Sequence, residues 1–444
     1  MGKVGIVSLG CAKNRVDTEI MLGFLKGNRY EITNDPNEAE IIIINTCGFI
    51  GSAKEESIDT ILEMAKNKIT GSCKMLIVTG CLSERYKNEL PDELPEVDAF
   101  IGVNDYPSII KIINKINYEK QVLSFSNPHD DETTASRVLT TPSYTAYVKI
   151  AEGCDNYCSY CVIPKIRGTY KSRKIEDILF EMQMLADQGV KEIILIAQDT
   201  TRYGEDIYQT SMLPTLIEKA CLISGIRWVR ILYSYPERIK NDLLQVMNRQ
   251  PKVCKYLDIP IQHIDDTILS RMNRKNTAQD IEQLLKKIKE LDTDFVIRST
   301  IIVGFPGEDI ESFHHLKSFI EEGYFDNLGI FTYSQEEGTP AAEFCNQIPE
   351  HIKQERSDIL MKAQRIVSYK KNQKKVGNTY DILIEGIDNT NIYIGRAYFN
   401  APEIDGKIYI KTEKNLEIGE FYQVYIKEAH DYDLVGEIKN ESCQ

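Results

Sequence analysis

Short apolar runs punctuate the first 120 residues: VGIVSLG at 4–10, IIIINT at 41–46 and MLIVTG at 75–80, separated by amphipathic stretches at 17–25 and 53–66. Brief continuous apolar runs bounded by turn residues suit buried strands, and apolar positions three and four apart suit helices. Their alternation predicts a parallel α/β layer. Beyond residue 117 the periodicity fades into SNPHDDETTASR at 126–137, whose composition predicts an exposed linker. Six further strand-like runs follow between 147 and 334: YVKI, EIILIAQD, WVRILYS, YLDIPIQH, FVIRSTIIVGF and NLGIFTYS. Each precedes helix-compatible sequence, so they predict an open (βα)6 partial barrel. A polar, lysine-rich helical pattern covers 349–375, with Gly377 placed to end it. The tail alternates apolar and polar residues in five runs, YDILIEG, NIYIGRAYF, GKIYIKT, EFYQVYIKE and YDLVGEI, broken by Gly, Asp and Asn. That pattern predicts a small antiparallel β-barrel. The fold class is therefore α/β multidomain: an N-terminal parallel α/β domain at 1–122, a linker at 123–139, the partial barrel at 140–375 and the small barrel at 376–444.

Composition narrows the function. The apolar runs fall far short of the ~20 residues that cross a bilayer, and the first residues carry neither a long apolar region nor a small-residue cleavage site. A cytoplasmic protein is expected. Eleven cysteines without an export signal point to metal or redox chemistry rather than disulfides, because cytosolic thiols stay reduced and an odd number cannot all pair. The net charge of −14 works against nucleic acid as the main substrate. Residues 377–444 hold 13 acidic and 6 basic side chains, half of that excess, which favours a basic partner.

EGCDNYCSYC at 152–161 sets Cys154, Cys158 and Cys161 in one loop after the first barrel strand. Three thiolates on a four-iron cluster leave one iron without a protein ligand, free to chelate the amino and carboxylate groups of S-adenosylmethionine. The competing reading is a zinc knuckle, but zinc needs a fourth Cys or His. No histidine occurs between His129 and His263, and no further cysteine before Cys221. A second trio is widely spaced: Cys11, Cys47 and Cys81 each follow a predicted strand. Parallel strands end on one sheet edge, where ligands bind, so these three can converge into a second cluster site. Alternatively they are small residues filling tight turns. Cys73 precedes its strand and is expected at the opposite edge. With Cys221, Cys254, Cys345 and Cys443 it is expected to pack as a small hydrophobe or lie exposed.

The remaining barrel strands end in polar residues where a cofactor would lie: Gln198 and Asp199, Tyr233 and Ser234, Gln262 and His263, and Arg298 with Thr300. Asp199 could accept from the methionyl ammonium and Arg298 could pair with the carboxylate, or both could be structural ion pairs. Gly304 and Gly307 of VGFPGE offer turn geometry and backbone amides beside the adenosyl half. His263 alone reads more readily as a packed histidine than as a catalyst.

Together these motifs resemble the methylthiotransferases of the radical S-adenosylmethionine superfamily over essentially the whole chain. The resemblance implies an N-terminal cluster domain, a central radical domain, a C-terminal TRAM barrel and two 4Fe-4S clusters. It also implies an electron donor such as flavodoxin or ferredoxin. The implied reaction replaces an unactivated C–H bond by a methylthio group: one S-adenosylmethionine methylates sulfur held at the N-terminal cluster, and another yields the 5′-deoxyadenosyl radical. One branch of the family acts on adenosine in tRNA and another on an aspartate of small-subunit ribosomal protein S-twelve. SLGCAKNRVDTE at 8–19, IAQDTTRYGEDIY, YLDIPIQH and RSTIIVGFPGE are similar to the second, the RimO branch; the tRNA branch typically shows Gln-Met-Asn after its first cysteine. Ala12 departs from a frequent proline without removing a ligand. The rival expectations are a tRNA methylthiotransferase and, from another class, a noncatalytic metal-stabilised binding protein.

Overall fold

Isoleucines at 41–44 organise the first layer. β3 (Ile41–Thr46) is buried along its whole length, as befits the middle of a sheet covered on both faces. In the computed structural model, which describes residues 2–126, 137–388 and 392–439, it lies between β1 (Lys3–Ser8) and β4 (Met75–Gly80). β2 (Glu31–Ile32), β5 (Ala99–Ile101) and β6 (Val122–Ser124) complete a six-stranded parallel sheet, ordered β2-β1-β3-β4-β5-β6. Alternate side chains serve opposite faces: Ile41, Ile43 and Ile77 pack with Met21 and Leu25, while Ile42, Ile44 and Val78 pack with Ile61. The winding reverses between β1 and β3, and ligands of open α/β sheets sit outside the strand ends at that switch point. Positions 127–136 of the expected linker, and Cys443, lie outside the described residues.

The second sheet begins with β7 (Thr145–Lys149). A short antiparallel pair, β8 (Ala151–Glu152) with β9 (Lys171–Ser172), then closes the neck of the Cys154–Cys161 loop. β10 (Glu192–Ile196), β11 (Trp228–Ile231), β12 (Val253–Asp258), β13 (Val296–Val303) and β14 (Asn327–Thr332) follow, every pair parallel, in the order β14-β13-β12-β11-β10-β7. All six expected barrel strands form. The long helix is Glu350–Gln373, and Gly377 takes φ +87° after the intervening turn.

The tail strands β15 (Thr379–Ile387), β16 (Tyr393–Arg396), β17 (Ile408–Ile410), β18 (Phe421–Ala429) and β19 (Leu434–Ile438) make a closed barrel ordered β15-β16-β17-β19-β18. One pair, β17 with β19, is parallel. Parity requires it, because five strands cannot alternate in direction all the way round a closed ring.

This barrel is seated against one face of the second sheet. Ile193 and Leu195 pack toward the surrounding helices, whereas Tyr147, Ile194, Ile196, Trp228 and Tyr256 pack with Ile382, Leu383 and Val424 of the small barrel. Trp228, the chain's single tryptophan, meets Phe421 edge-on at 4.7 Å between ring centroids. At the same seam the Glu192 carboxylate accepts from Arg230 Nε at 2.9 Å and from the Arg396 guanidinium, all three side chains being sealed from solvent. Among the described residues, no helix is long and apolar enough to cross a membrane.

Burial by itself would raise the Glu192 carboxyl, but the charges of Arg396 and Arg230 outweigh it and hold the group below the ordinary carboxylate range. Its contribution to stability is therefore complete above the unfolded value of ~4.3 and is lost as pH falls through the lower folded value. Glu192→Gln leaves the buried Arg230 guanidinium without its ion pair, while Arg396 keeps Glu385, and is expected to cost about 3–5 kcal/mol. The emission of Trp228 reports it: the variant should turn red-shifted at lower denaturant than wild type near neutral pH, and the gap between the two should narrow in acid.

Candidate active site

Cys11, Cys47 and Cys81 follow β1, β3 and β4, adjacent strands that straddle the switch point. A methyl group at Gly10 (φ +84°) would fall 2.8 Å from Cys47 Cβ and 3.0 Å from its Sγ, and one at Gly48 would fall 2.8 Å from the Leu82 backbone. The three strand-end loops are therefore in contact, and glycine permits the approach. Asn14, three residues after Cys11, ties them. Its amide donates to Leu9 O at 3.0 Å and Thr46 O at 2.9 Å, while its Oδ1 faces the Cys81 thiol at 3.7 Å. Cys81 is buried, Cys47 half-buried and Cys11 exposed, so the trio opens outward at one corner. Burial pushes the Cys81 thiol up to about 11 and also raises Cys47.

The second trio is local. Cys154 and Cys158 are buried and Cys161 half-buried; burial pushes Cys154 up to about 11 and Cys161 well above its ordinary value. Cys158 Sγ lies 2.9 Å from the Tyr235 hydroxyl and 3.9 Å from Arg274 Nη1, whose guanidinium stacks over the Tyr235 ring at 4.1 Å. A hydroxyl and a guanidinium thus converge on one sulfur. Among the described residues, no group of three His, Cys, Asp or Glu side chains is gathered for a single metal ion. A four-iron cluster makes a different demand, since each thiolate takes its own iron. Each trio offers the donor type such a cluster takes, three cysteines for what would be four irons.

A buried polar network lies between the trios. Lys149 Nζ donates to Asp17 Oδ1 at 2.8 Å and Glu152 Oε2 at 2.7 Å. Arg167 donates to Glu152 Oε2 at 2.9 Å, Asp17 Oδ2 at 3.1 Å and Asn14 Oδ1 at 2.5 Å. Glu152 stands two residues before Cys154, and Asp17 lies on the helix Ala12–Gly27 that Cys11 caps. Burial favours a neutral Glu152, yet Arg167 and Lys149 hold its carboxyl well below the usual range. Two anions and two cations balance, joining the first sheet to the barrel.

The expected cofactor residues gather at the same barrel edge but already have partners. Asp199 is fully buried and accepts from Thr201 Oγ1 at 2.6 Å, Asn156 Nδ2 at 3.0 Å and Arg238 Nη1 at 3.0 Å. Gln198 Nε2 donates to Glu152 at 3.2 Å, and its buried Oε1 has no partner among the described residues. Arg298 pairs with Asp258 at 3.0 Å and reaches Asp405 of the small barrel at 3.8 Å. Gly304 (φ +73°) and Gly307 (φ +89°) carry left-handed backbone under Lys353 and Arg271. The Gly304 amide donates to Glu308 Oε2 at 2.9 Å. His263 is buried, its Nδ1 accepting from the Asp265 amide at 3.0 Å. Three residues other than glycine also have positive φ here: Tyr157 in the cysteine loop, Tyr233 after β11 and Gln262 after β12. Such strain gathers at functional sites.

Sequence reasoning missed Asn14, Asp17, Lys149, Arg167, Tyr235 and Arg274. A lysine inside the apolar run YVKI was the available signal, because a charge in a buried strand needs a partner. Cys73 behaves as expected of it: buried in the core, its thiol donates to Met75 O at 3.4 Å. Cys221 and Cys254 are buried and Cys345 is exposed.

Comparison with known proteins agrees with this arrangement. Residues 3–102 match the uncharacterized protein family UPF0004, 148–320 the radical SAM superfamily and 376–438 the TRAM domain. The chain is 51% identical over 446 residues to the ribosomal protein uS12 methylthiotransferase RimO of Clostridium tetani, covering 100% of this chain and 99% of that protein. It is 50% identical to the protein of the same name from Geobacter sulfurreducens, covering 98% of each. Among solved structures it is similar in fold to the radical S-adenosylmethionine methyltransferase TsrM of Kitasatospora setae: TM-score 0.55, 12% identity, 76% of this chain and 73% of that one. Full-length identity at this level, with the three matched regions in this order, means that the chain belongs to the RimO family of methylthiotransferases within the radical SAM superfamily.

Proposed function

We propose that this protein methylthiolates an aspartate of ribosomal protein uS12 at its β-carbon, using two 4Fe-4S clusters and S-adenosylmethionine. Cys154, Cys158 and Cys161 would hold the cluster that cleaves the cofactor, and Cys11, Cys47 and Cys81 a second that presents sulfur. The observation that carries the two-cluster reading is Asn14, whose side chain touches the strand ends leading to Cys11 and Cys47 and faces the Cys81 thiol. When bound, the clusters and cofactor supply the electron, the carbon radical and the methyl group. The chain's own residues hold the two sites in register: Asp17, Glu152, Lys149 and Arg167 lock the helix after Cys11 onto the barrel. Gln198, Asp199, Arg298, Gly304 and Gly307 would line the cofactor side.

The division at 1–122, 140–375 and 376–444 assigns one task to each part, with the last engaging the target. An acidic face suits a basic ribosomal protein. A cytoplasmic location, where ribosomes and reduced thiols occur, and an electron donor such as flavodoxin or ferredoxin belong to the same reading.

Anaerobic reconstitution tests the metal assignment. Alanine at Cys154, Cys158 and Cys161 together should remove about four of about eight irons per chain and abolish cofactor cleavage. Alanine at Cys11, Cys47 and Cys81 should remove the other four and leave cleavage intact. Asn14→Leu, close in volume but unable to bridge the loops, should lower the second iron pool selectively. Retention of all iron in either triple variant would refute that site.

Mass analysis of ribosomes and tRNA from cells lacking the gene tests the target. The methylthio mass should vanish from the uS12 aspartate and return when the gene is restored, with tRNA unchanged throughout. Loss from tRNA instead would assign the chain to the other substrate.

A further inference from the structure

The turn at 334–341, just after β14, touches both cysteine sites. Its Glu336, only 2% exposed, accepts at Oε2 from Arg85 Nη1 at 2.8 Å and Lys54 Nζ at 2.9 Å, and at Oε1 from Ser334 Oγ at 2.7 Å. Arg85 ends the helix Cys81–Arg85, and Lys54 stands in the helix Gly51–Ala65 that follows Cys47. The same Arg85 Nη1 donates to Gly48 O at 2.8 Å, next to Cys47, and Arg85 Nη2 donates to Glu337 O at 3.1 Å. The Tyr86 hydroxyl bonds the Glu337 carboxylate. Burial by itself would raise the Glu336 carboxyl, but the hydrogen bonds from Lys54, Ser334 and Arg85 outweigh it and hold the group below its ordinary range.

On its other flank the turn meets the radical-domain cysteines. Ala341 N donates to Ser159 O at 2.9 Å, between Cys158 and Cys161, and Gly338 O accepts from Lys165 Nζ at 2.7 Å. Gly338 takes φ +75°, and Thr339 Oγ1 closes the turn by donating to Glu336 O at 2.6 Å. One short stretch therefore bonds the loops of Cys47 and Cys81 on one side and the loop of Cys158 and Cys161 on the other. Asp17, Glu152, Lys149 and Arg167 join the same two bodies beside Cys11 and Cys154, and this turn shares no residue with them. Bodies joined at one place can rock about it; a second attachment removes that freedom. We infer that Glu336 is a positioning residue for the proposed reaction: through Arg85 and Lys54 it fixes the orientation of the Cys47 and Cys81 loops against the Cys158–Cys161 loop. This rests on the proposed function, in which both sites serve one reaction, and adds the group that sets how they face each other.

Glu336→Gln keeps the side chain's size while removing the charge that draws Arg85 and Lys54. Iron-loaded enzyme carrying it should retain both iron pools and cofactor cleavage, yet release about 10–100-fold more 5′-deoxyadenosine per methylthio group placed on uS12, the scale of a misplacement of up to ~1 Å. Electron paramagnetic resonance supplies a readout apart from turnover: the magnetic interaction between the two reduced iron pools should change. Arg85→Met should show the same pair of effects, and the double variant should be no worse than the poorer single one, because both substitutions undo one attachment. An unchanged ratio, an unchanged resonance, a parallel fall in cofactor cleavage, loss of iron from either trio, or defects that multiply in the double variant would each overturn the inference. Wild-type enzyme that methylthiolates no uS12 would instead remove the proposed function, and the resonance and iron readouts would still decide the role of Glu336.

Discussion

Four charges sealed between two sheets set the geometry on which the chemistry depends. Asp17 and Glu152 come from opposite sides of the seam, and Lys149 and Arg167 each bridge both of them. Losing one member of such a set leaves an unpaired buried charge, at about 3–5 kcal/mol; the intact set offsets the cost of its own desolvation. Ordinary apolar packing could hold the sheets together equally well but tolerates sliding. Directional bonds at 2.7–3.1 Å do not, and the chemistry proposed for the two cysteine trios would need positions fixed on that scale.

The cysteine trios were open to nomination from the sequence because their signals are short-range: a spacing in one case, a repeated strand-then-cysteine pattern in the other. The network was not. Its partners lie 132 and 150 residues apart for Asp17 with Lys149 and with Arg167, and nothing in either segment names the other. The helix Ala12–Gly27 shows why periodicity fails here. Lys13, Asn14, Asp17, Thr18 and Glu19 would form its solvent face on an amphipathic reading, yet all are buried, because that face meets the barrel. Polarity marked an interface. Likewise, the strand count of the tail was plain, but the parallel closure of β17 on β19 follows from ring parity, which no strand's own sequence records.

Charge in the tail illustrates a related limit. Read as a sum, the acidic excess looks like a surface prepared for a basic partner. In the folded chain much of it seats the small barrel: Glu403 binds Arg15, Asp405 reaches Arg298, Glu420 binds Lys191 and Asp431 faces Arg365. Glu413, Glu417 and Glu428 are exposed and are among the residues through which that face would attract a cation. The barrel is thus first a structural partner of the radical domain, sharing its apolar seam through Trp228 and Phe421, and its acidic surface is what remains after that docking.

In the proposed two-cluster reading the trios would also differ in what must happen before metal can bind. Cys154, Cys158 and Cys161 span eight residues, so a pinched loop brings them together at little entropic cost. Cys11, Cys47 and Cys81 span 71 residues and meet only when β1, β3 and β4 are paired; loop closure over that length is met by the sheet rather than by the metal. Burial pushes the Cys81 and Cys154 thiols up to about 11, so iron bound there would displace protons and be favoured by rising pH. The first site therefore assembles with the loop, whereas the second depends on a folded sheet. Its alignment with the barrel depends in turn on the charges at Asp17 and Arg167.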